Sequence, residues 1–73
     1  MLNTQHNLES ILQYRPSWTD EDKTTYVDNL NYINDNYDKL LLVHHEIIAN
    51  SIYRFDYVTD SIADFIVSYL RGK

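Results

Sequence analysis

Apolar residues recur along this chain at spacings of three and four, the pattern of helices that bury one face. Leu8, Ile11 and Leu12 form the first stripe, with Arg15 as a candidate extension. Pro16 ends it, because the residue before a proline is pushed out of the helical region. The second stripe is Tyr26, Leu30, Ile33 and Tyr37. At about 100° per residue these four fall within roughly 60° of one another. The spacing predicts a helix from near Thr19, where Ser17 or Thr19 can cap the free amides. Asp20, Glu21 and Asp22 then suit the positive end of its dipole. Asn34-Asp35-Asn36 holds the weakest helix formers of the region, so the chain either turns there or continues helical through it.

A third helix is expected from about Asp38 to Tyr53. Leu41, His45, Ile48 and Ile52 share one face, and Leu40, Leu42, Ile47 and Ala49 widen it almost all the way round. Only Lys39, Glu46, Asn50 and Arg54 remain as a polar strip. A helix apolar on most sides is central to a bundle or lies in a subunit interface. A connector or short extended segment follows over 54–58. Thr59 or Asp60 then caps a last helix whose expected apolar stripe is Ile62, Phe65, Ile66, Tyr69 and Leu70. Asp60, Asp64 and Arg71 lie opposite, and Gly72 is placed to cap the end. The sum is one all-α domain over 1–73, a small bundle of three to four helices. The alternative is an α+β domain with a short strand near 53–58.

Length sharpens this picture. A 73-residue chain buries only about 60% of its unfolded surface and is marginal alone. Without cysteine it has neither disulfides nor thiolate metal sites. Oligomerisation is the remaining common route to stability, so a homodimer seamed by Leu41, His45, Ile48 and Ile52 is expected. The first residues carry neither a basic nor an apolar leader pattern, and the longest apolar run, Leu40 to Val43, is far too short for a membrane span. The expected location is the cytoplasm, or a host cytoplasm if the chain is viral.

Candidate chemistry is sparse. His44-His45-Glu46 invites a metal reading, but adjacent helical side chains point about 100° apart and cannot easily grip one ion. A single glycine excludes phosphate-cradling loops, and no catalytic motif occurs. The expectation is no enzyme, no cofactor and no metal.

Charge is where the sequence is informative. The formal net charge is −5. Between Asp20 and Asp38 stand six acids (Asp20, Glu21, Asp22, Asp28, Asp35, Asp38) against Lys23, and outside that segment five acids face five bases. The net charge is therefore confined to one stretch. Bulk acidity excludes direct nucleic-acid binding, which needs a basic footprint. Its confinement suggests something narrower. Glu21, Asp28 and Asp35 are spaced by seven, so on a continuous helix they lie within roughly 40° of each other, opposite the apolar stripe. Asn31 and Tyr32 add neutral hydrogen-bonding groups. Acids on the outer face of a helix are usually just solvated, and that is the first explanation of this row. The functional reading is a partner-binding ridge of Asp20, Glu21, Asp22, Asp28, Asn31, Tyr32, Asp35 and Asp38. Seven tyrosines and Trp18 supply core packing or, for some of them, partner anchors.

In length, acidity, tyrosine content and lack of cysteine and catalytic motif, the chain resembles the small acidic phage-encoded inhibitors that mimic DNA. The resemblance implies a basic-surfaced host protein of replication, repair or transcription as partner, a ring-shaped sliding clamp being one example. It also implies competitive occlusion of that protein's DNA-binding groove or channel. Two other readings stay open: a helical immunity- or antitoxin-like regulator binding through an apolar face, and a structural subunit of a larger assembly.

Overall fold

The computed structural model describes residues 2–44 and 57–72, with the side chains of 41–44 excepted. Over these residues the protein is all-α, with four helices and no strand: α1 (Thr4–Leu12), α2 (Asp20–Asp35), α3 (Tyr37–His44) and α4 (Asp60–Arg71). None of them is long and apolar enough to cross a membrane.

α2 is the organising element, packed most extensively on α4, then on α1 and α3. Its predicted stripe is the floor of the core: Tyr26, Leu30, Ile33 and Tyr37 are all buried, together with Ile11, Leu40, Val58, Ala63, Ile66 and Val67. Asn3 caps α1 by accepting a bond from the His6 amide at 3.0 Å. α1 stops at Leu12, earlier than the expected boundary at Pro16. Pro16 instead occupies the second position of a turn closed by the Trp18 amide on the Arg15 carbonyl at 3.2 Å, where its fixed φ is an asset. Of the two candidate caps for α2, Thr19 is used. Its hydroxyl accepts from the Asp22 amide at 3.2 Å, and the Asp22 carboxylate accepts from the Thr19 amide at 3.1 Å, a reciprocal capping box.

The weak helix formers at 34–36 resolve into a one-residue break. α2 ends at Asp35, and Asn36 leaves the helical region with φ −113° and ψ 20°. Its side chain donates to the Tyr32 carbonyl at 2.9 Å, a second bond to an acceptor that the Asn36 backbone amide also reaches at 3.1 Å, so the helix end is fastened twice by one residue. α3 then starts at Tyr37, one residue before the expected start. The side chains expected to form its dimer seam, Leu41, His45, Ile48 and Ile52, lie outside the described residues, as do positions 53–56 of the alternative strand.

Thr59 caps α4, and Gly72 closes it in the ordinary right-handed region, so its glycine freedom is not used. The α4 stripe is rotated from the expected one. Ala63 and Val67, absent from that stripe, are buried, while Phe65, assigned to it, is 61% exposed. The supposedly outward residues explain the rotation. Asp60 meets Arg15 at 3.2 Å, Asp64 accepts from Asn29 at 2.9 Å, and the Arg71 guanidinium lies 5.0 Å from the Tyr32 ring centre. These three contacts draw the polar side of α4 against its neighbours, and the small Ala63 side chain takes a place in the core.

Val58 locks the entry to α4. It is buried outside any helix, so its peptide groups need partners. Its amide donates to the Asn7 side-chain oxygen at 2.6 Å, and its carbonyl accepts from the Tyr26 hydroxyl. Burial first, then the nearby Asp60 and Tyr57, pushes the Tyr26 hydroxyl far above its ordinary value. Tyr26 therefore keeps its proton in the folded state over a range where the unfolded chain releases it. Its contribution is complete below about pH 10 and is lost as pH rises through the folded-state value. We expect Tyr26→Phe to cost about 1 kcal/mol at neutral pH, since a lost carbonyl partner is the milder defect. The same variant flattens the alkaline fall in stability, read by urea melts in steps from pH 8 to above about pH 10. An unchanged alkaline slope would remove Tyr26 as its source.

Candidate functional site: an acidic ridge and an adjoining cavity

The acidic segment is displayed as a ridge. Glu21, Asp28 and Asp35 all belong to α2 and all are exposed, on the side away from buried Tyr26, Leu30 and Ile33. With a rise of 1.5 Å per residue, successive members stand roughly 10 Å apart. Duplex DNA carries a phosphate about every 3.4 Å along each strand, so the ridge marks only every third phosphate position. Asp20, Asp22 and Asp38 are exposed as well. Lys23, the base within the segment, sits 3.8 Å from Asp20. Among the described residues no cation pairs with Glu21, Asp28, Asp35 or Asp38.

The two neutral members of the predicted site are placed differently. Asn31 is exposed, with only a long 3.5 Å contact from the Thr4 hydroxyl among the described residues. Tyr32 is half-buried against the core, and its ring carries Arg71. Since Tyr32 follows Asp28 by four residues and precedes Asp35 by three, it shares their side of the helix. The chain's own guanidinium therefore rests over a ring that adjoins the ridge. Trp18, considered as a partner anchor, is half-buried against Tyr26, with ring centres 5.4 Å apart. Tyr14 is 61% exposed and stacks on Tyr57 at 6.0 Å.

Where the N-terminal half of α2 faces the start of α4, a half-open cavity of about 200 Å³ is lined by Trp18, Tyr26, Asp22, Asp60 and Asp64. Thr25 and Asn29 complete its α2 side. The sequence signal for this cavity is weak. Asp60 and Asp64 lie 38 and 42 positions from Asp22 and read as an outward face of their own helix. Among the described residues no group of three or more His, Asp or Glu side chains is close enough to hold a metal ion.

The asparagines are the residues that sequence reasoning undervalued. Asn34 pairs with Leu2 twice, accepting from its amide at 2.8 Å and donating to its carbonyl at 3.0 Å. Asn7 holds Val58, Asn29 holds Asp64, Asn3 caps α1 and Asn36 closes α2. Their short amide arms serve as cross-links between segments, and this work lies away from the ridge.

No family model matches this chain, and neither the curated proteins nor the solved structures contain a match to it.

Proposed function

We propose that this protein is a small acidic inhibitor that presents the α2 ridge to the basic DNA-binding groove or channel of a replication, repair or transcription protein. The observation that carries the reading is the placement of charge. The whole net charge of the chain lies between Asp20 and Asp38, and three heptad-spaced acids of that segment stand exposed on one uninterrupted helix, with no cation paired to them among the described residues. An ordinary exposed helix intersperses lysine with glutamate. Here the available lysine is drawn to Asp20, at the end of the row.

In this reading Glu21, Asp28 and Asp35 meet lysines and arginines that otherwise contact phosphates, and the inhibitor competes with DNA for them. The ridge is too sparse to copy a strand alone. A second copy of the chain would double the row, which is the functional argument for a homodimer. The mechanism needs no covalent step and no cofactor.

The experiment is affinity capture from a bacterial lysate with the tagged protein and with its Glu21→Lys, Asp28→Lys, Asp35→Lys variant. The expected partner is a DNA-processing protein, released by duplex DNA and by rising salt, since exposed charge pairs are screened. The triple variant should bind it at least about tenfold more weakly, or ~1.4 kcal/mol. Capture that survives the three reversals and ignores salt would end the mimicry reading and favour an apolar contact.

A further inference from the structure

The geometry points to a second binding site: the cavity between the N-terminal half of α2 and the start of α4 is a receptacle for one cationic side chain, an arginine, of a protein partner. The site is separate from Glu21, Asp28 and Asp35, and the inference stands whether or not the ridge binds anything.

Three observations converge on that ligand. The first is the state of the carboxylates. Each is fixed through one oxygen by a bond internal to the protein: Asp22 Oδ2 by the Thr19 amide at 3.1 Å, Asp60 Oδ1 by Arg15 at 3.2 Å, and Asp64 Oδ1 by the Asn29 amide group at 2.9 Å. The second oxygen of each, Asp22 Oδ1, Asp60 Oδ2 and Asp64 Oδ2, takes no hydrogen bond from the described residues. The acids are thus positioned in advance and retain accepting capacity, which lowers the ordering cost of binding. Three acids against Arg15 leave the rim at a net charge near −2.

The second observation is the wall. Half-buried Trp18 lines the cavity and packs at 58° on Tyr26, which is itself only 2% exposed, so the indole is the aromatic face a ligand can reach. Aromatic faces attract cations, tryptophan most strongly, and a flat guanidinium stacks on them better than an ammonium does. The protein shows the same chemistry elsewhere, where its own Arg71 lies over Tyr32.

The third is size. A volume of about 200 Å³ is below the roughly 300–1,000 Å³ of pockets that take drug-sized molecules, but it suits a single side chain. The carboxylates are also too dispersed for one metal ion. A planar cation with several donors can reach more than one of them at once.

The chain's one tryptophan lines the site, so its fluorescence reports occupancy directly. The probes are a short capped peptide with one arginine, the same peptide with uncharged citrulline in its place, a lysine version, and spermidine as a free polyamine. The arginine peptide should change Trp18 fluorescence in a saturable way, with the lysine peptide weaker and citrulline inert. Asp64→Asn should weaken the arginine peptide at least fivefold, with an unchanged circular-dichroism melt showing an intact fold. The Glu21→Gln, Asp28→Asn, Asp35→Asn variant should retain the response, which separates this site from the ridge. No saturable change, equal binding of citrulline, or indifference to Asp64→Asn would overturn the site. Saturation by spermidine but not by the arginine peptide would overturn its assignment to a side chain.

Discussion

Replacing Leu30 with alanine should destabilise the protein by about 2–5 kcal/mol, the range for deleting a fully buried leucine side chain. Leu30 is completely buried at the middle of α2, between Tyr26 and Ile33 on the face that forms the core floor. The loss combines the transfer energy of the deleted atoms with the cavity left behind. That cavity closes poorly here, since Ile33 and Leu40 are also fully buried. For a 73-residue chain, total stability of roughly 0.05–0.15 kcal/mol per residue leaves about 4–11 kcal/mol. The substitution therefore removes a large fraction of it. At about 4–8 °C per kcal/mol for a domain of this size, the melting temperature should fall by at least about 8 °C. A urea melt should show a lower midpoint with an unchanged slope. A loss below about 1 kcal/mol would show that α2 does not form the core floor.

Asn7→Leu should cost about 3 kcal/mol, although it exchanges a polar residue for an apolar one at a site only 2% exposed. Leucine is the more hydrophobic residue, and a burial argument alone would predict a gain. The hydrogen-bond count decides against it. Asn7 accepts the Val58 amide at 2.6 Å, and no other acceptor for that amide is present among the described residues. A buried donor left without a partner costs about 1–3 kcal/mol, and the bond itself is lost as well. The Asn3 carbonyl, which takes the Asn7 side-chain amide at 2.7 Å, loses less, because the Asn7 backbone amide also reaches it at 2.9 Å. Asn31→Ala is the comparison. Asn31 is exposed with one long contact, and its loss should stay within about 0.5 kcal/mol. Equal effects at the two positions in thermal melts would refute the role given to Asn7.

These cases mark what the sequence makes legible. The α2 stripe and the two caps are local patterns, set by residues within one or two turns of each other; the stripe forms as its spacing predicts, and each cap is one of the two candidates the sequence offers, Thr19 rather than Ser17 and Thr59 rather than Asp60. The interruption at Asn36 is likewise visible in the run of poor helix formers. The rotation of α4 is not. Ile62, Phe65 and Ile66 are equally apolar on paper, and the choice among them is made by Arg15, Asn29 and Tyr32, which lie 30 to 50 positions away. The ridge was legible because one helix carries it. The cavity was not, because it is built from two helices and the turn at Trp18. Asn7 was invisible for the same reason: its partner is 51 positions distant.

The two side chains that hold Val58 come from different helices, α1 and α2, and satisfy opposite sides of one residue that belongs to neither. Their energies are for that reason linked. If α1 moves away, Val58 is freed to shift, and the Tyr26 hydroxyl loses its acceptor; if α2 moves, the Asn7 bond is strained in turn. Residues that share a partner in this way do not contribute additively. In a chain with no disulfide and a small core, Val58 thereby couples α1 to α2, since a shift of either helix at this residue bears on the bond made by the other.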